Sequence, residues 1–260
     1  MGLVRTEGVV LRTYPFSETS KIIHAFTLEH GPQSLMARGA RRPKSKFSGV
    51  LETFTRLELI YYQKRSSSLH TLSEGSMIEY FSGLSEDLAR FYAGSVCLEM
   101  IKRYVMPDEV SRPLYGELVN TLGMIDVARP EDCQYVLLGF LWRFMTLLGF
   151  KPDLNNCSMC GSVLSGPANL VTNEVAVGAC CQRCADSHRK MGVYDKEIGR
   201  LIGILTDGQE VGHSSAGENI FPGIWAFTSN YIKYHLHQER LIVSLRTFLA
   251  YIGSTRGREE

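Results

Sequence analysis

Two short cysteine pairs constrain this chain more than any other feature. Cys157-Ser-Met-Cys160-Gly161 is followed, about twenty residues later, by Cys180-Cys181-Gln-Arg-Cys184. A Cys-x2-Cys pair sets two sulfurs on one tight turn, and two pairs at this separation form the pattern of a four-thiolate zinc site. Zn2+ takes four ligands tetrahedrally at roughly 2.3 Å per sulfur, and Gly161 has the backbone freedom that the turn after the first pair requires. The intervening residues, a Ser165-Gly166-Pro167 turn and then Leu170 to Val177, read as a short hairpin closing the loop. The standard spacing assigns one zinc per chain to Cys157, Cys160, Cys181 and Cys184; Cys180 with Cys184 is a looser alternative pair, and His188 an alternative donor. Two disulfides are the competing use of these thiols, but disulfides belong to oxidising compartments. The N-terminus has no signal-peptide pattern, and Cys97 and Cys133 fall singly within apolar helical patterns. The cysteines therefore imply a reducing compartment, the cytoplasm. A catalytic zinc keeps an open position beside a general base; four thiolates fill the shell, so this zinc reads as a staple for folding.

The staple leaves function open, and charge distribution narrows it. The 260 residues carry a net charge of only +1, with 44% hydrophobic and 21% charged residues, as in a globular protein. Residues 1–80, however, hold 11 Lys and Arg against 7 Asp and Glu, net +4, leaving the remainder net −3. That asymmetry points to an anion-binding N-terminal region. The most apolar run, Tyr135 to Leu148, contains Arg143 and is too short to span a bilayer.

The first eighty residues read as strands. Leu57, Leu59 and Tyr61 alternate with Arg56, Glu58 and Ile60, the period of a half-buried strand. Ile22, His24, Phe26 and Leu28 alternate similarly, with Ile23 and Ala25 on the other face; Thr6–Thr13, Leu35–Gly39 and Leu69–Glu74 are shorter candidates. His30-Gly31-Pro32 is a turn signal. Five short strands predict a small barrel, of the oligonucleotide-binding (OB) type or an SH3-like one. Between the third and fourth strands, Arg38, Arg41, Arg42, Lys44 and Lys46 place five cations in nine residues without a carboxylate. Such a loop cannot neutralise itself, and its natural partner is a polyanion: phosphate contacts release condensed counterions and give strong, sequence-blind, salt-sensitive affinity. Lys21, Lys64 and Arg65 extend the candidate patch, and Phe54, Tyr61 and Tyr62 are candidates for base stacking or, more commonly for strand aromatics, for the core.

From Ser85 the period changes to that of helices. Leu84, Leu88, Phe91, Leu98, Ile101 and Val105 form one stripe, and a second helix is expected over Arg112–Met124. A third, from about Pro130 to Leu148, is apolar almost all round, which predicts a buried centre with Trp142, Phe144 and Leu148 in the core. Ile198, Leu201, Ile202 and Leu205 mark another helix, Ile224–Ile252 a last helical hairpin, and Gly208–Gly217 a loop. The expected fold is α+β and multi-domain: a five-stranded barrel over residues 1–80, then a helical bundle over 81–260 with the four-cysteine zinc finger inserted at about 153–190.

Four segments resemble the RecO family of bacterial DNA repair and recombination mediators. They are Thr6–Arg12 with Phe16–Lys21, Thr27–Gly31 leading to Ala37–Ser45, Phe140–Arg143 through Leu148–Leu154 to Cys157–Gly161, and Tyr231–Leu236 with Leu245–Leu249. Leu245 departs from the Ser expected before the Arg, and Cys180 is an additional cysteine. The resemblance implies an OB-type barrel, binding of single- and double-stranded DNA, and annealing of complementary strands. It also implies help in loading RecA together with RecR in the RecF pathway, contact with the C-terminal tail of the single-strand DNA-binding protein, and a bacterial, nucleoid-associated location. The residues are compatible with a binding protein that is no enzyme. No Gly-Lys-Thr phosphate loop occurs, and no His-x-Glu precedes the cysteines as a zinc deaminase requires. A zinc-dependent hydrolase or deaminase and a scaffold with an acidic protein partner are the alternatives.

Overall fold

The computed structural model describes residues 2–64, 67–164, 169–172, 177–187, 192–209 and 220–256. The Ser165–Pro167 turn, Arg65, His188 and most of the Gly208–Gly217 loop fall outside them. By its contacts the chain divides into residues 1–130 with 247–260, and residues 131–246.

In the first unit β1 (Gly2–Phe16), β2 (Ser20–Thr27), β3 (Gly31–Ala37), β4 (Thr55–Gln63) and β5 (Leu69–Tyr80) form a closed barrel in the order β1-β2-β3-β5-β4. The long β1 closes it. Its first half pairs with β4 and its second half with β2, both antiparallel, and Gly8 belongs to both ladders, opposite Leu57 and Thr27. A Cβ at Gly8 would lie 2.8 Å from Leu59 Cδ1, 3.2 Å from Thr27 Cγ2 and 3.3 Å from the Phe26 carbonyl oxygen, so a larger residue would crowd both neighbouring strands here. A short parallel pairing, Ser34–Met36 with Leu69–Thr71, completes the ring. Alternation along β4 holds as read, with Leu57, Leu59 and Tyr61 buried. On β2 the inward residues are Ile23 and Ala25, while Ile22 and His24 face outward. Phe26 is buried as well, because Tyr115 covers it at 5.9 Å between ring centroids. The turn at Gly31 has φ +64°, and a Cβ there would meet the Glu109 backbone oxygen at 2.2 Å.

Three helices follow in this unit: α1 (Gly83–Glu86), α2 (Leu88–Tyr104) and α3 (Arg112–Val127). The single stripe expected from Leu84 to Val105 is broken at Asp87, whose extended backbone ends α1 and whose carboxylate caps α2 by accepting from Ala89 N and Arg90 N. Leu88 and Phe91, at the start of α2, are exposed, whereas Leu84, Leu98, Ile101 and Val105 of that stripe are buried, together with Ala89, Ala93, Val96, Cys97 and Met100. Ser111 caps α3. Tyr251, from the part of α8 (Val243–Arg256) belonging to this unit, packs on Tyr92 at 5.5 Å.

The second unit is centred on α4 (Cys133–Leu147). Trp142 is buried among Phe227 and Tyr231 of α7 (Phe221–His235), and its indole N–H donates to Thr228 Oγ1 at 3.1 Å. α6 (Lys196–Thr206) adds Ile198, Leu201, Ile202 and Leu205 to the interior. Phe144 is fully buried, but Leu148 is only half-buried: the helix ends at Leu147, itself exposed, and Leu148 is its C-cap. The expected hairpin is β6 (Asn169–Thr172) and β7 (Val177–Cys180), to which β8 (Gly192–Tyr194) adds in the order β7-β6-β8. The short helix α5 (Gln182–Ser187) follows β7. Among the described residues no helix is long and apolar enough to cross a membrane.

The difference between Phe144 and Leu148 is measurable. Phe144→Ala is expected to lower unfolding free energy by about 3–5 kcal/mol, and Leu148→Ala, with only part of its side chain covered, by about 1 kcal/mol. Denaturant titration of the two variants checks this; equal losses would contradict the burial described.

Candidate metal centre and nucleic-acid interface

The first cysteine pair is formed by a tight hairpin of residues 155–164. Leu164 N donates to Asn155 O at 2.8 Å, Cys157 N to Ser162 O at 2.9 Å, and Gly161 N, at φ +72°, to Cys157 O at 2.8 Å. Asp153 fixes the entry by accepting from the amides of Asn155 and Asn156. Ser158 then ties the hairpin to β7, donating from both its amide and its hydroxyl to Ala179 O at 2.8 and 2.9 Å. The second pair comes from the residues just after β7, with Cys184 inside α5. The Sγ atoms of Cys157, Cys160, Cys181 and Cys184 consequently lie within 4.8 Å of one another. The Cys160–Cys181 separation is 3.8 Å, and sulfurs at 2.3 Å around one tetrahedral ion are about 3.8 Å apart. These four side chains can hold one metal ion.

Cys180 stands apart from that group. Its thiol is buried, with Met159 Sδ at 3.9 Å and the Cys181 carbonyl at 3.4 Å. Together with Cys157 and Val171 it forms the small apolar core of the finger. Burial pushes Cys180 up to about 12, keeping it a thiol. Cys160 goes the other way, down to about 6, chiefly through the hydrogen bond from the Ser162 hydroxyl at 3.1 Å. Burial works against ionisation of Cys157, but amide hydrogen bonds from Cys181, Cys160 and Met159 outweigh it and hold the thiol low. Cys184 is pushed up to about 12 by sharing its proton with Cys181 and Cys160. A cluster that stabilises thiolates by shared protons is suited to a cation that displaces those protons.

The cationic segment belongs to the connection of residues 38–54 between β3 and β4. Three of its residues are driven into the barrel: Ala40, Phe47 and Leu51 are buried in the same cluster as Val10, Leu35 and Leu59. Between these pegs the chain runs in short turns, Arg42 N to Gly39 O, Ser45 N to Arg42 O and Ser48 N to Ser45 O, each at 3.0–3.1 Å. Arg41 fastens the segment to the β1–β2 turn, donating from its amide to Thr19 O and from Nη1 to Ser17 O, both at 2.9 Å. Arg38, Arg41, Arg42, Lys44 and Lys46 are all exposed, and among the described residues none forms an ion pair. Lys21 differs, since its ammonium is 3.0 Å from the Glu52 carboxylate. Lys64 lies beyond the far end of β4, away from this connection in the chain.

Of the candidate stacking aromatics, Tyr61 and Phe54 are core residues and only Tyr62 is exposed. His70 stacks on Tyr61 at 5.6 Å, and His24 Nδ1 is 2.9 Å from the Ser34 hydroxyl. The pegs Phe47 and Leu51, which anchor the cationic segment to the barrel core, are hidden by the charge pattern; two large apolar residues four apart beside a basic run are their signal.

Comparison with known proteins agrees with this architecture. A family model described as "Recombination protein O N terminal" matches residues 1–81, and "Recombination protein O C terminal" matches residues 85–241. The chain is 32% identical over 257 residues to a DNA repair protein RecO of Streptomyces coelicolor, covering 95% of this chain and 98% of that one. It is 29% identical over 264 residues to one of Anaeromyxobacter dehalogenans, covering 99% and 100%. It is also 35% identical over 163 residues to one of Prosthecochloris aestuarii, covering 62% and 61%. With both halves matched in order and nearly end to end, the chain belongs to the RecO family of DNA repair proteins.

Proposed function

We propose that this chain is a DNA-binding recombination mediator that binds single- and double-stranded DNA through the barrel of residues 1–80 and anneals complementary strands. In the same reading it works in the cytoplasm, assists RecA loading together with RecR, and contacts the tail of the single-strand DNA-binding protein through its helical part. The observation that carries the reading is the pegged loop: five exposed cations at one end of a closed barrel, with no carboxylate paired to them among the described residues. Phosphates supply the missing counter-charge for either form of DNA. Annealing then needs no reacting group, because shielding the repulsion between two phosphate backbones and holding them close is sufficient. The barrel acts here as a binding surface rather than as an enzyme.

The metal reading is that one Zn2+ is bound by Cys157, Cys160, Cys181 and Cys184 and supplies cross-linking, with no open position for chemistry. The four sulfurs brought together support it. Cys181→Ser is expected to lose the ion and loosen the finger, because binding and local folding are coupled. Cys180→Ser is expected to retain one zinc per chain. Elemental analysis of the reduced proteins measures both; retention by Cys181→Ser together with loss by Cys180→Ser would transfer the ligand role.

For the loop, the test is the salt dependence of DNA binding. Arg38→Ala, Arg42→Ala and Lys44→Ala combined removes three cations while leaving the Arg41 fastening intact. Each phosphate contact on single strands contributes about −0.7 to the slope of log affinity against log salt, so the slope is expected to flatten by about 2. Binding should weaken alike for all sequences, strand annealing should fall in step, and melting temperature and zinc content should stay unchanged. A wild-type salt slope in this variant would assign the loop to an acidic protein partner and place the DNA surface elsewhere.

A further inference from the structure

On one side of β5 the ring closes through a short pairing. Ser34–Met36 of β3 meet Leu69–Thr71, and from Leu72 to Tyr80 the only strand partner among the described residues is β4. The opposite edge of this stretch has no strand beside it, and a free edge is a template on which a further strand can form. Cover from the loop reaches Gly75, where a Cβ would lie 3.7 Å from Leu51. From Ser76 to Tyr80 every residue is exposed, without alternation, although Met77, Ile78 and Tyr80 are large and apolar. The Tyr80 hydroxyl is 3.0 Å from that of Ser85, which ties the end of the strand to α1.

The edge is also acidic, in an N-terminal part that is otherwise net basic. Residues 67–89 contain Glu74, Glu79, Glu86 and Asp87 and no Lys or Arg. Glu74 lies opposite Ile60, Ser76 opposite Glu58 and Glu79 opposite Arg56, the β4 residues that alternate with its buried ones. The ladder skips Ile78, and this bulge brings Glu79 onto the same outward face as Glu74. Met77, opposite Leu57, is on the other face. Glu74 forms no ion pair among the described residues, and Arg56 is 3.9 Å from Glu79 but 2.6 Å from Glu7. Carboxylates repel phosphate, so this edge is no continuation of the cationic loop. A second copy fits it poorly as well. Two such edges paired antiparallel about Ser76 and Met77 would set Glu74 of each against Glu79 of the other, and like charges directly opposite are destabilising.

We propose that the free edge of β5 over Ser73–Tyr80 docks an extended segment of a partner protein as an added strand, one whose residues alternate between Lys or Arg and aliphatic side chains. Successive side chains of a strand point to opposite faces. All the cations of such a segment therefore fall on the face of Glu74 and Glu79, and all its aliphatic side chains on the face of Met77. Main-chain hydrogen bonds to the edge supply affinity, and the two side-chain faces supply specificity. The docking edge is independent of the DNA-binding reading: it takes a basic peptide where the loop takes an anion.

The experiment titrates the full chain with fluorescent, end-blocked octapeptides: (Lys-Val)4, (Glu-Val)4 and (Lys-Pro)4. The last keeps the charge, but its prolines cannot donate to a ladder. (Lys-Val)4 is expected to bind saturably and (Glu-Val)4 not at all. (Lys-Pro)4 is expected to bind at least about fivefold more weakly than (Lys-Val)4, the effect of losing two ladder bonds. Glu74→Gln combined with Glu79→Gln should weaken (Lys-Val)4 by about 2- to 30-fold, the range for two cross-strand charge pairs, with an unchanged melting temperature. Hydrogen exchange gives the location: bound (Lys-Val)4 should slow amides within Ser73–Tyr80. No saturable binding of (Lys-Val)4, equal binding of (Lys-Pro)4, or protection outside β5 overturns the docking edge. Self-association of the wild type that Ile78→Lys abolishes would give the edge to a second copy and overturn it too.

Discussion

Closure of the barrel by β1 is the constraint on which the first unit depends. One strand of 15 residues serves as partner to β4 and then to β2, and the change of partner occurs at Gly8. An open five-stranded sheet would leave two unpaired edges, each a template for aggregation. With the ring closed, the paired strand backbones are satisfied internally, and recognition of a polyanion falls to the connections and to outward side chains. That is why the surface of interest is a loop between strands.

Five like charges in nine residues repel one another, and left to itself such a segment would spread into solvent. Here three buried apolar residues oppose the spreading. A fully buried large side chain contributes roughly 1.5–3 kcal/mol, and Phe47 and Leu51 are both inside the barrel. This exceeds the few tenths of a kcal/mol by which exposed cations repel across water at ordinary salt, where the Debye length is about 8–10 Å. The cations are thus held in a defined arrangement before any ligand arrives, and less ordering remains to be done on binding. Arg41 contributes differently from its neighbours, since its bonds to Ser17 and Thr19 join the loop to the adjacent turn.

Much of this is legible in the chain, and the failures have physical causes. Period-two alternation reveals β4 because one face of it is buried in the core while the residues between are only partly covered. It misleads on β2, where Phe26 is buried from outside by Tyr115, a residue 89 positions later that no local pattern announces. The stripe holds at Leu84, Leu98, Ile101 and Val105 and fails at Leu88 and Phe91, where Asp87 ends one helix and caps the next; an acidic residue before an apolar helix is a capping signal. Composition assigns Leu148 to the core, although the helix stops one residue earlier. The cysteine pairs are the most reliable signal, because ligand spacing is set by covalent geometry and owes little to tertiary context.

The local chemistry also separates the roles of the five clustered cysteines. Four thiolates around one Zn2+ leave a centre with net negative charge, which repels phosphate; on the zinc reading the finger is a folding device and no DNA contact. Such a centre needs its sulfurs ionised and hydrogen-bonded, as the amide and hydroxyl donors around Cys157 and Cys160 provide. It also needs an apolar floor that excludes competing donors, and there a fifth sulfur is useful only if it stays protonated. Cys180 meets that requirement through burial against Met159 and Val171. Adjacent residues of one chain, Cys180 and Cys181, therefore do opposite things: Cys180, the last residue of β7, is buried in the finger's core, and Cys181, just past the strand, contributes its sulfur to the cluster.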